Sequence, residues 1–368
     1  MPRSLALVVG AAALIGLAGC GDPKPAAGDG KIAVEATDTA CKVARTELPA
    51  GVSTFVVTNK GSKVTEFYVY AGEAVKGEQE NIAPGLSREL RVDLKAGAYE
   101  AACKPGQTGD GIRVKLTVTG EGRQDDAKVG AAVATYKAYV VKEAADLVPA
   151  TRQFVDAVKA GDRDRAKSLY APARLHYERI EPVAESFGDF DPAIDAREND
   201  VEAGKEWTGY HRLEKDLWGT ADLAADAKLA DQLLADVTAL ADKVKQVELS
   251  ATDVANGAKE LLDEVATTKI TGEEDRYSHT DLWDFEGNVA GSKAVVDALR
   301  PVLTERDAAL LRTLDDKFAA AGAELAKHKV GDGYKLHNQL SPAELKALSD
   351  AINALAEPIS KVAAVVAK

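Results

Sequence analysis

Residues 112–118 read Ile-Arg-Val-Lys-Leu-Thr-Val, a stretch in which apolar and polar side chains alternate without exception. A period of two is typical of a strand with one buried face. From about residue 125 onward the apolar side chains recur three and four positions apart, as Val237, Leu240 and Val244 do. This change of period predicts a multidomain chain with a small all-β domain followed by an all-α domain.

The segment before the change contains further short strands, separated by Gly, Pro and Asn turns. They are predicted at 32–37, 54–58, 66–70 and 90–94, with one more that ends at residue 102. Six or so short strands in about 90 residues are typical of a small β-sandwich. We assign the sandwich to residues 31–120.

The segment after the change, residues 126–368, has helical periodicity almost to its end. We expect six to nine helices packed as bundles, and two bundles side by side would suit this length. Breaks between the helices are predicted where glycine occurs, at Gly161, 188–192, Gly219, Gly272, 287–291 and 331–333.

The N-terminus has the features of a bacterial lipoprotein signal. Arg3 precedes an apolar stretch at 5–17, and Leu17-Ala18-Gly19-Cys20 resembles a lipobox. We expect residues 1–19 to be a signal peptide, Cys20 to be lipidated, and residues 20–30, rich in Pro, Gly and Ala, to be a flexible tether. The protein is then held on the outer face of the cytoplasmic membrane, at the cell surface or in a periplasm. The alternative is a buried N-terminal helix that contains Cys20 by chance.

The charge and the apolar content of the chain exclude some classes of function. The chain has 46 basic and 59 acidic residues and a formal charge of −13. An acidic protein is a poor nucleic-acid binder, because that affinity depends on Lys and Arg at the phosphates. Beyond the N-terminus no apolar run is long enough for a transmembrane helix, which excludes a polytopic membrane protein. Cation capture fits the charge, although surplus carboxylates also simply solubilise proteins.

The predicted β-domain contains two cysteines, Cys41 and Cys103, but no histidine, and the only methionine of the chain is Met1. A blue-copper site needs two His and one Cys, usually with an axial Met, so this domain cannot build one. Two interpretations of the cysteines stay open. They form a disulfide, as is common in exported domains, or they join Glu66 in a mixed sulfur and carboxylate metal site.

The helical part contains an HxxE arrangement, His211 and Glu214, which lie on one helical face. Imidazole and carboxylate together suit Fe, Zn, Mn or Cu. Glu178, Glu181 and Glu185 share another helical face, where they repel one another unless solvated or neutralised by a cation.

Three neighbouring features extend this pattern. Pro182 should kink the glutamate-rich helix, and Asp195 follows a Gly and Pro break from which its side chain could turn inward. The segment 273–284, which includes Glu274, is dense in ionisable side chains. It could instead be a helix N-terminus capped by Ser278 or Thr280. The carboxylate row could likewise be an ordinary solvated face.

Three motifs together resemble a known domain. They are residues 177–182, 209–218 and 275–285, and they are similar to the imelysin-type (HxxE) domain. The loop of Cys103 resembles that of a cupredoxin in fold, and residues 81–85 fit the same combination. A cupredoxin-like domain before an imelysin-like domain resembles the EfeO family of iron-uptake lipoproteins.

The resemblance implies a lipid-anchored iron-binding protein of an EfeUOB-type uptake system. Its partners would be an EfeU-type membrane permease, which receives ferrous or ferric iron, and an EfeB-type haem peroxidase. The implied ligands in the helical domain are His211, Glu214, Glu178, Glu181, Asp195 and Glu274. Those implied in the β-domain are Cys41, Cys103 and Glu66. Copper or zinc also suits such donors.

If the protein is an iron-binding protein of this family, we expect that it is not an enzyme and has no catalytic residue. Imelysin-type domains have also been classed with metallopeptidases, but the chain has no paired-histidine HExxH motif or its inverse. The alternatives are a metal-dependent enzyme at the cell surface, either a hydrolase or a metal oxidase, and a structural or polymer-binding surface protein. Iron binding is expected to weaken below about pH 6 as His211 gains a proton.

Overall fold

The computed structural model describes residues 30–72, 74–121, 126–201 and 204–368. Within it, Lys31–Lys368 form one compact unit. The expected signal peptide, the lipidation site Cys20 and all of the expected tether except Gly30 lie outside the described residues. No helix in the described part combines the length and apolarity that a membrane span requires.

The N-terminal part is a β-sandwich, which confirms the predicted fold class. In the described residues it has nine strands: β1 (Ile32–Ala36), β2 (Cys41–Val43), β3 (Glu47–Pro49), β4 (Gly51–Asn59), β5 (Thr65–Ala71), β6 (Ala74–Ile82), β7 (Ser87–Leu94), β8 (Gly97–Pro105) and β9 (Ile112–Thr119). One sheet has the order β2-β1-β4-β7 and the other β3-β9-β8-β5-β6. The strands that the sequence did not reveal are the two shortest, β2 and β3, and the polar β6, which lacks an alternating pattern.

The space between the sheets is apolar, with Phe55 and Phe67 in contact at its centre. Here Cys41 and Cys103 form a disulfide, which decides between the two interpretations of the cysteines. Cys103 is opposite Phe67 in the β5–β8 pair and faces the core, whereas Glu66 is opposite Lys104. Because neighbouring side chains point to opposite faces of a sheet, the expected site of two cysteines with Glu66 is wrong.

The C-terminal part is helical. The part of it that the structure describes contains ten α-helices, one more than the upper expectation: α1 (Ala127–Lys159), α2 (Arg163–Glu178), α3 (Phe190–Asp195), α4 (Gly209–Trp218), α5 (Ala227–Lys243), α6 (Ala251–Thr267), α7 (Asp281–Arg306), α8 (Ala308–Ala326), α9 (Pro342–Ile359) and α10 (Val362–Val366). Short 3-10 helices cover Glu181–Phe187, Leu223–Asp226, Lys269–Thr271 and His337–Gln339. A small hairpin, β10 (Lys329–Val330) and β11 (Gly333–Tyr334), precedes α9.

The helices form two groups that share α7. Helices α1, α2, α5 and α7 pack together, and α6, α8 and α9 pack on the other side of α7. A single continuous apolar core joins both groups. Two separate bundles were the expectation, and the shared helix is what unites them.

Two predicted helix boundaries are resolved by the structure. The break expected at 287–291 is wrong, because Gly287 and Gly291 lie inside α7. A methyl group on Gly287 would come within 2.4 Å of the Glu178 Cβ, and one on Gly291 within 2.4 Å of the Arg179 carbonyl oxygen. These glycines let α7 approach α2 closely. The kink expected at Pro182 does not form within a continuous helix. Instead, α2 ends at Glu178, and the 3-10 helix Glu181–Phe187 follows.

The sandwich packs on the helices through β6 and β7, which contact α6 and the 3-10 helix Glu181–Phe187. The Asn256 side chain donates a hydrogen bond to the Arg91 carbonyl oxygen at 2.5 Å. Beside this contact an open cleft of about 540 Å³ lies between the two parts.

Candidate metal centre

The HxxE pair lies on the short helix α4. His211 and Glu214 are one turn apart, and both are buried, with 2% and 0% of their surface exposed. Just before them Gly209 adopts a positive φ of 86°, and a Cβ there would lie 2.3 Å from the Ile194 carbonyl oxygen. Glycine at this position lets α4 pack against the end of α3, where Asp195 follows Ile194.

The His211 ring has carboxylates on both of its nitrogens. Nε2 is 3.7 Å from Asp195 Oδ1 and 3.7 Å from Glu274 Oε1. Nδ1 is 3.2 Å from Glu214 Oε2 and 3.8 Å from Asp275 Oδ1. Donor atoms on each side lie close enough together to hold a metal ion.

Glu214 is already fully engaged by the protein. Its Oε1 accepts hydrogen bonds from the backbone N–H groups of Tyr277 at 2.9 Å and Ser278 at 2.7 Å. Its Oε2 faces His211 Nδ1. Glu214 therefore ties α4 to the 273–280 segment and fixes the orientation of the imidazole, as carboxylates behind metal-binding histidines commonly do.

Two further glutamates come from the junction between α2 and the following 3-10 helix. Asn288 on α7 donates to Glu178 Oε2 at 2.9 Å and to Glu181 Oε2 at 2.6 Å, and so holds the two side chains together. Oxygen atoms of Glu178, Glu181 and Glu274 lie within 4.8 Å of one another, close enough to share one metal ion.

A fully buried guanidinium, Arg174 on α2, lies between these groups. It donates to Glu178 at 2.5 Å and to Asp195. Its Nη1 is 3.0 Å from His211 Nε2. Its Nε is 3.6 Å from Asp284. Burial of an unpaired charge is costly, so the surrounding carboxylates are what keep Arg174 ionised inside the core.

A second buried cation, Lys269, has 1% of its surface exposed. Its Nζ donates to Glu181 Oε1 at 2.6 Å and to Glu274 Oε1 at 3.4 Å, and it is 3.5 Å from Glu178 Oε2. The ammonium thus contacts the same three glutamates that could share a metal ion.

Carboxylates nevertheless outnumber cations in this centre. Burial raises the pKa of Asp195 to about 7 against the opposing charges of Arg174 and His211. Burial also raises the pKa of Glu181 well above its ordinary value, in spite of Lys269. Glu274 is different: burial opposes its ionisation, but Lys269, His211 and Arg197 together lower its pKa. Such an excess of buried acid is relieved by protons or by a further cation.

The protonation state of His211 departs from expectation. Burial and the neighbouring Arg174 lower its pKa, but Glu214, Glu274 and Asp195 outweigh them and raise it to about 10. The imidazole is therefore charged at neutral pH, and a metal ion must displace its proton well above pH 6. The raised pKa predicts that protons compete with the metal ion at a higher pH than the value near 6 expected from the sequence.

Behind Arg174 lies an inner group of aspartates. Asp275 accepts a hydrogen bond from Tyr170 at 2.9 Å and another from Thr280. Among the residues that the structure describes, neither oxygen of the fully buried Asp284 has a hydrogen-bond donor. Burial, with the charge of Asp275, raises the pKa of Asp284 well above its ordinary value. Thr280 precedes α7, but its side chain serves Asp275 and does not cap the helix.

The centre borders the cleft between the two parts of the molecule. Asp195, Glu181 and Glu274 line its inner wall. Carboxylates of the sandwich face them, with Glu66 among them, and Glu66 accepts a hydrogen bond from Gln107 at 3.0 Å. The acidic residues that line the cleft are Glu66, Glu78, Glu80, Glu181, Asp191, Asp195, Asp200, Glu260, Glu264 and Glu274, and the basic ones are Lys104 and Arg197.

Comparison with known proteins identifies the family. The imelysin family matches residues 132–362, and the cupredoxin-like domain matches residues 10–118. The iron uptake system component EfeO of Escherichia coli O1:K1 is 43% identical over 338 residues, which cover 90% of each chain. EfeO of Escherichia coli K12 and EfeO of Shigella flexneri are 42% identical over the same length. The chain belongs to the EfeO family.

A solved structure is also similar in part. Auracyanin A, a blue copper protein from Chloroflexus aurantiacus, aligns with 24% of this chain at 17% identity and a TM-score of 0.20. An alignment of this quality says nothing about metal binding in an EfeO-family chain.

The structure brings together all six residues that the sequence suggested for the helical domain. They are Glu178, Glu181, Asp195, His211, Glu214 and Glu274. The side chain of Glu185 is outside the described part. Sequence reasoning missed the cations Arg174 and Lys269. Arg174 precedes Glu178 by one helical turn, a spacing that could have indicated an ion pair, whereas no local signal indicates the burial of Lys269.

A separate acidic group lies elsewhere on the helices. His176 Nδ1 is 2.8 Å from Glu143 Oε2, and Asp146 is close by. Lys142 and Arg179 already pair with these carboxylates, and His176 is 24% exposed. This group offers a matched control for experiments on the buried centre.

Proposed function

We propose that this EfeO-family protein binds iron outside the cytoplasmic membrane and delivers it to a membrane iron permease. The names of the relatives support a role in iron uptake. The observation that carries the binding step is the convergence of His211 with carboxylates from four separate segments in one buried centre. Oxygen and imidazole donors of this kind suit iron, and zinc or copper are its competitors.

In this proposal the ion lies where the cleft reaches the centre, and Glu178, Glu181 and Glu274 supply its first oxygen ligands. His211 Nε2 and Asp195 adjoin this group, since Nε2 is 3.7 Å from both Asp195 and Glu274. Because Arg174 Nη1 lies 3.0 Å from Nε2, the guanidinium must shift for His211 to reach the ion. Glu214 acts behind the ligands, because its oxygens already hold His211 and two backbone N–H groups. It fixes the ring so that Nε2 points at the ion.

The acidic cleft is the proposed route of entry. Carboxylates on opposing walls focus a negative potential in the gap, which raises the local concentration of cations. Glu66 belongs to this route rather than to a cysteine site. Because the two walls come from different domains, we propose that the sandwich serves the helical centre as one side of its entrance.

The remaining parts of the proposal concern location and partners. Lipid on Cys20 would hold the protein at the outer face of the membrane, within reach of an EfeU-type permease and an EfeB-type haem peroxidase. We propose binding and transfer rather than catalysis, since the chain has no HExxH motif.

Calorimetry with Fe²⁺ under anaerobic conditions, and with ferric citrate in air, tests the binding step. The parent protein should bind one equivalent in this centre, and the isosteric variant Glu274→Gln combined with His211→Ala should lose it. His176→Ala, in the separate group with Glu143 and Asp146, is the control and should bind as the parent does. Equal iron binding by parent and double variant, with circular dichroism unchanged, would remove the buried centre from the proposal.

A further inference from the structure

The ammonium of Lys269 lies at the point where three metal-ligand candidates meet. It contacts Glu181 Oε1 at 2.6 Å, Glu274 Oε1 at 3.4 Å and Glu178 Oε2 at 3.5 Å. Oxygen atoms of the same three glutamates lie within 4.8 Å of one another. We propose that Lys269 occupies the place of the metal ion and that iron binding drives its ammonium out into the cleft. This inference rests on the proposed function of iron binding.

The two cations exclude each other for a geometric reason. Transition-metal ions bind carboxylate oxygens at about 2 Å, so an ion shared by Glu178, Glu181 and Glu274 would approach the ammonium to within contact distance. Two positive charges at that separation in a buried site repel strongly. The three glutamates therefore serve either Lys269 or the metal ion.

Lys269 is better placed to leave than Arg174. Arg174 is on the long helix α2, is fully buried, and has five carboxylates within 3.8 Å as well as the rings of Tyr170 and Tyr210 nearby. Lys269 begins a three-residue 3-10 helix and has one short hydrogen bond, to Glu181. Freeing its ammonium breaks this hydrogen bond and two longer contacts, to Glu274 at 3.4 Å and to Glu178 at 3.5 Å.

The cleft offers a destination for the ammonium. Thr268, the preceding residue, lines it, as do Glu181 and Glu274. Glu264, one turn earlier on α6, also lines the cleft, and its side chain is 27% exposed. Glu80 of the sandwich stands across the gap from this wall. A displaced Lys269 would therefore find carboxylates at the entrance in place of those it leaves.

The exchange gives the site a means of release. Without metal, Lys269 neutralises glutamates that would otherwise repel one another in the core. With metal bound, the ammonium lies in the cleft, where it remains close enough to compete with the metal ion for the same carboxylate oxygens. Its return lowers iron affinity, which suits a protein that must give up its cargo to a permease.

Chemical labelling of lysines measures the displacement directly. The purified protein is treated briefly with an amine-acetylating reagent, with and without a saturating amount of Fe²⁺ under anaerobic conditions, and modified peptides are quantified by mass spectrometry. Labelling of Lys269 should increase at least about tenfold with iron, because a buried ammonium becomes exposed. Lys259 on α6, which pairs with Asp263 at 2.8 Å and donates to Gln79 of the sandwich at 3.3 Å, is the control and should not change.

The outcomes separate this inference from the proposed function. If calorimetry shows iron in the centre but Lys269 stays protected, the lysine is a fixed structural cation and the inference is wrong. If no iron binds, the proposed function itself fails. If labelling of Lys269 and Lys259 increases equally, iron binding loosens the whole fold and does not displace Lys269 specifically, and the inference is wrong.

A variant tests the competition. Lys269→Met keeps the length of the side chain but removes the charge, so iron affinity should rise by about tenfold or more when the competitor is lost. Lys259→Met should leave it unchanged. Iron affinity that falls or stays equal in Lys269→Met would overturn the competition, and the labelling of the parent protein still decides the displacement if the variant does not fold.

Discussion

The interiors of the sandwich and of the helical part are built on opposite principles. The sandwich core is apolar, with Phe55, Phe67 and a disulfide between Cys41 and Cys103. The helical interior encloses ionised groups, of which Arg174 is fully buried and Lys269 is 1% exposed. Both interiors are shielded from water, but only the helical interior contains ionised side chains.

The two interiors serve different purposes: the sandwich core stabilises the fold, whereas the charged helical interior serves the function. An apolar core and a cross-link stabilise a fold at no electrostatic cost. Buried ion pairs stabilise little, because desolvation of the charges offsets their attraction. The helical charges are therefore best explained by what they bind. Four expectations test this difference between the two interiors.

Loss of the buried guanidinium should have the largest effect. Arg174→Met leaves Glu178 and Asp195 without their partner, so the free energy of unfolding should fall by about 3 to 5 kcal/mol. Urea denaturation followed by tryptophan fluorescence measures it, since all three tryptophans are in the helical part. Arg300→Met is the control: Arg300 pairs with Asp315 at the surface at 2.7 Å, and its loss should cost at most about 1 kcal/mol. Equal losses in the two variants would contradict the contrast.

The second-largest loss of stability is expected from removal of the disulfide, which should destabilise the sandwich. The disulfide closes a loop with a sequence separation of 62. In the chain-entropy model, Cys41→Ala with Cys103→Ala should destabilise the sandwich by about 4 kcal/mol.

Hydrogen exchange in β4 and β8 would report this loss. Iron bound per chain should stay the same under conditions where the sandwich remains folded. Iron binding abolished in a folded double variant would show that the cysteines belong to a metal site after all.

A smaller effect is expected where α7 approaches the centre. Gly287→Ala places a methyl group within 2.4 Å of the Glu178 Cβ, and overpacking of this kind costs about 1 to 3 kcal/mol. Gly322→Ala, in α8, meets nothing within 4 Å and should stabilise the protein by about 0.5 to 1 kcal/mol. Thermal denaturation of both variants tests the difference in sign, and a Gly287→Ala protein as stable as Gly322→Ala would refute the close approach.

The last expectation concerns pH. The folded-state pKa of His211, about 10, lies above the ordinary value of 6.5. Its charge therefore stabilises the metal-free protein fully below pH 6.5, and that contribution is lost as the pH rises towards 10. Metal must displace this proton, so iron affinity should rise by up to about tenfold per pH unit in this window.

Calorimetry at pH 6.5, 7 and 7.5, in buffers of different ionisation enthalpy, counts the released protons. About one proton per iron should come from His211. His211→Asn is the control and should release one fewer. Identical proton release by the parent and by His211→Asn would mean that the imidazole is not protonated in the metal-free state.

Much of this architecture is predictable from local patterns. Alternation at 112–118 and helical spacing after residue 125 indicated a sandwich before a helical part, and short polar strands such as β6 were missed because their faces do not alternate. Because glycine weakens isolated helices, the sequence predicts a break at Gly287 and Gly291. In the folded chain the same glycines are required for close packing of α7 on α2.

Periodicity and short motifs are local properties, so the sequence alone indicates the fold class and the resemblance to the EfeO family. That resemblance implies the six residues of the candidate centre. Only the tertiary structure decided that Glu66 faces the cleft, that Glu214 is held by the backbone of another segment, and that Arg174 and Lys269 lie among the carboxylates. The physical reason is that burial and charge pairing arise between residues far apart in the chain, which no local pattern records.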